Sequence, residues 1–278
     1  MTVEGFAPAK INLTLHVTGR RADGYHLLDS LVVFADIGDR IFAERSDQLS
    51  LSVVGPMAAG VPTGVGNLMM QAAEMLSPGR GAALVLEKHL PPASGIGGGS
   101  SDAAATLRLL SELWKIPVLE AAETLVLGAD LPVCMRPSPQ RMQGIGEQIV
   151  PVASIPDCAI MLVNPGVSVA TPAIFRALGR RDNPPMPDVL PTWGAARDLA
   201  DWLRTQRNDL EAPAISIQPV IEDVLQALAS TEAIFSAMSG SGATCYALFE
   251  SKEVAQKEAA RLTEARPDWW VQSGMLLR

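Results

Sequence analysis

The chain has 278 residues, 48% hydrophobic and 19% charged, with a formal net charge of −8. Such a length predicts about two domains, each able to build its own core, and the composition excludes a disordered or fibrous chain. The acidic balance and the lack of a Lys/Arg stripe argue against nucleic acid and against an anionic membrane surface as partners.

Taken from the N-terminus, Phe6 to Thr18 alternates apolar and polar residues around Ile11, Leu13, Leu15 and Val17 and predicts a strand. Leu27 to Arg45 predicts more strand, turned by Asp36-Ile37-Gly38-Asp39. Asn67 is placed to cap a helix over 68–76. Residues 82–90 read as a strand that runs into a loop, Pro91 to Ser101. Helical spacing follows from Asp102 to Trp114, and a second helix is expected over 119–127, ending at Gly128.

Residues 137–157 contain Pro137, Pro139, Pro151 and Pro156 with Gly144 and Gly146, and the domain boundary is placed there, near 155. The expected domains are therefore 1–155 and 156–278. Beyond the boundary the order is a strand (159–164), a helix (172–178), a Pro-rich loop (183–191), then two or three helices up to about Ser230. A strand (234–238), a glycine turn, a strand (244–249), a helix (252–265) and a last strand (269–274) complete it. The alternation lacks a regular βαβ series, so an α+β chain is expected.

No apolar run approaches the roughly 18 residues that span a bilayer. The N-terminus lacks a basic segment followed by an apolar one, so no secretory signal is expected. Cys134, Cys158 and Cys245 are far apart in sequence and read as small apolar residues of a reducing, cytoplasmic compartment. Five lysines (Lys10, Lys88, Lys115, Lys252, Lys257) stand against seventeen arginines, so a lysine within an apolar strand draws notice.

The sharpest local signal is Pro91-Pro92-Ala93-Ser94-Gly95-Ile96-Gly97-Gly98-Gly99-Ser100-Ser101. Consecutive glycines let backbone N–H groups converge on an anion, because no Cβ crowds the approach. The following helix aims its unpaired N–H groups and positive dipole end at the same place. Ser100 and Ser101 add hydroxyls for a helix cap, a phosphate or its Mg²⁺. The chain has no Gly-Lys dipeptide, which excludes the GxxxxGK[ST] loop. The GxGxxG pattern fails because Ser100 takes its sixth position, and the HRD and DFG motifs of protein kinases are missing.

Three other features are open on their own. Lys10 in an apolar strand reads as a lysine snorkelling from an edge or as a site cation. Asp130, between Gly128-Ala129 and Leu131-Pro132, reads as a turn aspartate or as a general base. Tyr25-His26, after Asp23-Gly24, reads as a pair closing a turn or as a flat face and a polar reader for a nucleobase. His16 and His89 read as surface or satisfied strand-end histidines.

The glycine loop, together with Pro8-Ala9-Lys10-Ile11-Asn12-Leu13 and Ser239-Gly240-Ser241-Gly242-Ala243, resembles the three motifs of the GHMP kinase superfamily, in the same order. The resemblance implies an α+β fold of two domains, with a left-handed βαβ unit in the N-terminal one. The C-terminal one would be ferredoxin-like, with the active site in the cleft between. Gly19 to Leu28, Gly128 to Val133 and Pro165 to Phe175 resemble the branch that phosphorylates a cytidine-diphosphate-linked methylerythritol on its 2-hydroxyl, in the non-mevalonate route to isoprenoids.

What the resemblance implies, residue by residue, is as follows. Lys10 and Asp130 are catalytic. Residues 91–101 (Pro91, Pro92, Ala93, Ser94, Gly95, Ile96, Gly97, Gly98, Gly99, Ser100, Ser101) bind ATP, with Ser101 also a contact for Mg²⁺. Asn12, Tyr25, His26, Thr171 and Phe175 bind the acceptor, Tyr25 and Phe175 stacking on cytosine. The chain departs from the pattern at Ala93-Ser94, where glycine is common, at Asp102, where asparagine is familiar, and over Arg136 to Met142. Asp102 reads as an acid favourable at a helix N-terminus, or as one that weakly repels phosphate. Two other readings compete: a kinase of the same superfamily with a homoserine- or mevalonate-like acceptor, and a nucleotide-binding regulator without catalysis. The Asp23-Gly24-Tyr25-His26 segment speaks against the first, and the presence of both Lys10 and Asp130 against the second.

Overall fold

The computed structural model describes residues 2–278. In chain order the elements are β1 (Thr2–Asn12), β2 (His16–Arg20), β3 (His26–Arg45), β4 (Ser50–Val54), α1 (Leu68–Leu76), β5 (Ala82–Glu87) and α2 (Gly98–Trp114). A 3-10 turn (Ala121–Leu127), α3 (Leu131–Cys134), β6 (Gln140–Gly144), β7 (Gln148–Pro151), β8 (Ala159–Asn164), α4 (Thr171–Ala177) and α5 (Ala196–Leu203) follow. The chain ends with α6 (Glu211–Ile217), α7 (Val220–Ala229), β9 (Phe235–Met238), β10 (Cys245–Phe249), α8 (Lys252–Ala265) and β11 (Trp270–Met275). Two compact units emerge. One holds the chain up to Lys10 with Gly38–Pro92 and Gly97–Pro137; the other holds Ile11–Ile37, Ala93–Ile96 and Ser138–Arg278.

In the first unit β4 and β5 run parallel, joined through α1 in a βαβ crossover, and β5 pairs antiparallel with the end of β3, Arg40 opposite Glu87. Every second residue of β5 points inward: Ala82, Leu84 and Leu86. They meet Met69 and Ala73 of α1 and Ala105, Leu109 and Leu113 of α2 in one apolar core. The i, i+4 spacing of those α2 residues puts them on one face. Asn67 caps α1 as its sequence predicts, its side chain accepting the Met69 N–H at 2.8 Å.

In the second unit the start of β3 pairs with β2 and with β6, and β6 forms a hairpin with β7. A separate four-stranded antiparallel sheet has the order β11-β8-β10-β9, with α7 and α8 packed on it. Its core joins Met161 and Val163 to Val224, Leu228, Ala255 and Leu262. Arg141 of β6 takes both oxygens of Asp29, at 2.8 and 2.7 Å, and reaches the carbonyls of Met186, Pro187 and Asp188. The stretch Arg136 to Met142 thus contributes the guanidinium that holds the Pro-rich loop.

Three local expectations change. Residues 36–39 are not a turn, because β3 runs through them unbroken. Gly38 is there for a close approach: a Cβ on it would lie 2.3 Å from the Ala7 carbonyl oxygen. The flanking aspartates face tertiary partners instead of solvating a bend, Asp36 accepting the Met275 N–H and Asp39 those of His89 and Leu90. Residues 121–127 form a 3-10 turn rather than an α-helix. The third change is that α2 starts at Gly98, so the last residues of the glycine loop are its first turn. Among the described residues no helix is long and apolar enough to cross a membrane.

Candidate active site

The glycine loop turns by way of left-handed backbone at Ala93 (φ 51°), Gly95 (φ 79°) and Gly97 (φ 62°). At Gly95 the reason is contact as well as angle, since a Cβ there would lie 2.6 Å from the Gly242 carbonyl oxygen. Ala93 adopts the same region with a side chain, a conformation that costs about 1–2 kcal/mol. The loop tip is tied to the C-terminal glycine turn: the Ser239 hydroxyl donates to the Gly95 carbonyl and accepts the Asn12 N–H, and Thr244 N–H donates to the Ser94 carbonyl.

Gly97 is the N-cap of α2 and supplies no side-chain acceptor. The first N–H groups of a 17-residue helix are therefore left for another acceptor, at the end where the dipole favours an anion. Ser101 does not cap them. It is buried, and its hydroxyl donates to the Pro8 carbonyl at 2.7 Å, pinning α2 to β1.

Beside this helix start lies Lys10. A Cβ on Gly97 would come 3.1 Å from Cβ of Lys10. The lysine side chain is 3% exposed and its Nζ meets Oδ2 of Asp130 at 2.8 Å, while the Asp130 side chain is 38% exposed. Asp130 is the N-cap of α3, between Gly128, which ends the preceding turn, and a first helical turn that contains Pro132. The pair is a buried cation that holds a solvent-reachable carboxylate. Cys134, at the end of α3, is no competing nucleophile: burial, then the charge of Asp130, push its thiol up to about 12.

A second lysine is also buried here, and the sequence reading does not find it. Lys88 places Nζ 2.6 Å from Oδ2 of Asp39 and 2.7 Å from Oδ2 of Asp102. Asp102 is thus not a first-turn acid; it lies inside α2, and its Oδ1 is buried without a partner. Burial pushes its carboxyl up to about 8, against the pull of Lys88 and with the help of Asp39. Burial pulls Lys88 down, but the two carboxylates outweigh it and leave its ammonium raised. The scarcity of lysine is the one signal that points to this residue.

In the second unit, His26 and Phe175 stack face to face, ring centroids 4.6 Å apart and planes 18° from parallel. The expectation puts Tyr25 and Phe175 on opposite faces of a cytosine; within the protein, Phe175 stacks on His26. Tyr25, at the tip of the turn closed by Gly24 (φ 95°), is 60% exposed. Burial, then the nearby Arg20 and Arg181, lower the pKa of His26 and favour the neutral imidazole, and its Nε2 is buried without a partner. A neutral imidazole presents one donor and one acceptor, the combination that a cytosine edge matches. Thr171 joins Ser241 through their hydroxyls at 3.0 Å. Asn12 donates from Nδ2 to the Ser30 hydroxyl at 2.7 Å, and its Oδ1 is buried with no partner.

Comparison with known proteins adds names to this arrangement. The family model described as GHMP kinases N terminal domain matches residues 67–137, and that described as GHMP kinases C terminal matches 191–268. The chain is 55% identical to 4-diphosphocytidyl-2-C-methyl-D-erythritol kinase of Ruegeria pomeroyi, covering 100% of both proteins. It is also 55% identical to the enzyme so named in Cereibacter sphaeroides, over 97% of each. A crystal structure of 4-(cytidine 5'-diphospho)-2C-methyl-D-erythritol kinase superposes with a TM-score of 0.78 at 32% identity, covering 99% of both chains. A homoserine kinase from Cytophaga hutchinsonii gives a TM-score of 0.63 at 17% identity, over 98% of this chain and 94% of that one, which is likeness of fold alone.

Proposed function

The chain belongs to the GHMP kinase family, and we infer that it transfers the γ-phosphoryl group of ATP to the 2-hydroxyl of 4-diphosphocytidyl-2-C-methyl-D-erythritol, yielding ADP and the 2-phosphate. This reaction is a step of the non-mevalonate isoprenoid route. The geometry that carries the reading is Lys10, packed on Gly97 at the start of α2 and bonded to the exposed carboxylate of Asp130. One cation thereby touches both the helix end suited to phosphate and the group suited to take a proton.

Asp130 is the general base of this proposal. As the acceptor oxygen bonds to the γ-phosphorus, its proton passes to the carboxylate, and the bond from that phosphorus to the ADP oxygen breaks. Lys10 holds the carboxylate in place and offsets charge on the transferring group. The N–H groups of Gly98, Gly99 and Ser100, left uncapped by Gly97, receive phosphate oxygens. Residues 91–101 are the ATP-binding loop of this proposal.

Mg²⁺ would neutralise phosphate charge. Among the described residues no group of three or more His, Cys, Asp or Glu side chains is placed to hold a metal. That fits a Mg²⁺ bound mainly by phosphate oxygens and water, with the Ser101 hydroxyl oxygen as the protein contact. For the acceptor, Tyr25 and Phe175 provide aromatic faces for the cytosine and His26 its polar edge; Asn12 and Thr171 bind the remainder. His26 covers one face of Phe175, so a base stacking on that face would displace the imidazole. The family matches lie on either side of residue 155, which supports 1–155 and 156–278 as the family's two domains. A cytoplasmic setting fits three free, buried cysteines.

The deciding experiment follows ³¹P resonances of ATP with and without the cytidine-linked acceptor. Acceptor-dependent formation of ADP and a new phosphomonoester supports the assignment. Equal turnover with homoserine or mevalonate, or ATP loss that ignores the acceptor, would exclude it.

A further inference from the structure

The loop that receives the phosphates has two stems, and one ion triad grips both. The incoming stem leaves β5 through His89 and Leu90, whose N–H groups donate to Oδ1 of Asp39 at 2.6 and 2.8 Å. The outgoing stem is the first turn and a half of α2, where Asp102 sits. Lys88 bridges them, its ammonium bonded to Asp39 and to Asp102. A Cβ added to Gly98 would lie 3.3 Å from Nζ of Lys88, so the ammonium is directly against the turn that carries the free N–H groups. All three side chains are buried, and none is part of the proton-transfer pair.

We propose that Lys88 is a positioning residue for ATP: clamped by Asp39 and Asp102, it fixes the span between the two stems of the phosphate loop and sets the charge beneath the helix end that meets the nucleotide. This rests on the reading of residues 91–101 as the ATP site.

Calorimetric titration with a non-hydrolysable ATP analogue, and separately with the acceptor, tests the clamp. Lys88→Met is expected to weaken analogue binding at least tenfold while acceptor affinity stays within about twofold, a split that general loosening of the fold would not produce. Asp102→Ala, which removes one arm of the clamp, should also weaken analogue binding while acceptor affinity stays within about twofold. A folded Lys88→Met protein with wild-type analogue affinity overturns the proposal. If that variant does not fold, Asp102→Ala decides, and wild-type analogue affinity in it overturns the proposal. Gly98→Val separates the two readings: if it too leaves analogue binding untouched, the loop is not the ATP site and the clamp falls with it.

Discussion

Two of the five lysines are buried to the same degree, 3% exposed each, yet their surroundings differ. Lys10 has one carboxylate partner, and that partner is 38% exposed. Lys88 has two, neither of them more than 4% exposed. A buried cation whose partner faces solvent holds a group in reach of a reacting molecule. A cation sealed between two buried partners holds backbone. Burial of the lysine itself does not separate chemistry from architecture; exposure of the carboxylate does.

The largest effect should come from Asp130→Asn, which keeps an acceptor for Lys10 but removes the base. Its kcat is expected to fall about 10²-fold or more with both substrates still bound, measured by single-turnover transfer and by calorimetry. A near-normal kcat would leave positioning and Lys10 as the source of catalysis and erase the contrast between the two lysines. Lys10→Ala should act on kcat to a similar extent. The double variant should lose much less than the product of the two losses, because the pair works as a unit; a fully multiplicative loss would mean independent roles.

Next in size, Gly98→Val should weaken nucleotide binding about tenfold or more, equal to about 1.4 kcal/mol. The new side chain meets the Lys88 ammonium. Tyr25→Ala and Phe175→Ala should raise the KM for the acceptor but not for ATP, with a loss of about 1–3 kcal/mol for the stacked base. Loss confined to ATP would remove these residues from the acceptor site. The smallest effect is on stability. Ala93→Gly, relieving a left-handed alanine, should raise the free energy of unfolding by about 1 kcal/mol in urea titrations. No change would mean that the φ of 51° costs the loop nothing.

Much of this molecule was legible along the chain because the relevant physics is local. Glycine runs, an asparagine before an apolar helix and strand-like residues act over a few positions, so the glycine loop, the cap at Asn67 and the strand β5 could be read directly. Lys10 and Asp130 were legible as candidates, each for its odd setting, but their bond joins residues 120 positions apart and belongs to the fold. The continuity of β3 through a turn-like Asp36-Ile37-Gly38-Asp39 was decided by tertiary partners for both aspartates and by the close pass of Ala7. The His26–Phe175 stack and the Lys88 triad were decided in the same way. Asp39 and Lys88 are 49 positions apart, and no local pattern marks a carboxylate that will be buried against a lysine. The sequence by itself determined which residues could serve phosphate transfer. Only packing decided which of its two buried lysines was left with an open carboxylate, because desolvation and ion pairing are set by neighbours in space rather than along the chain.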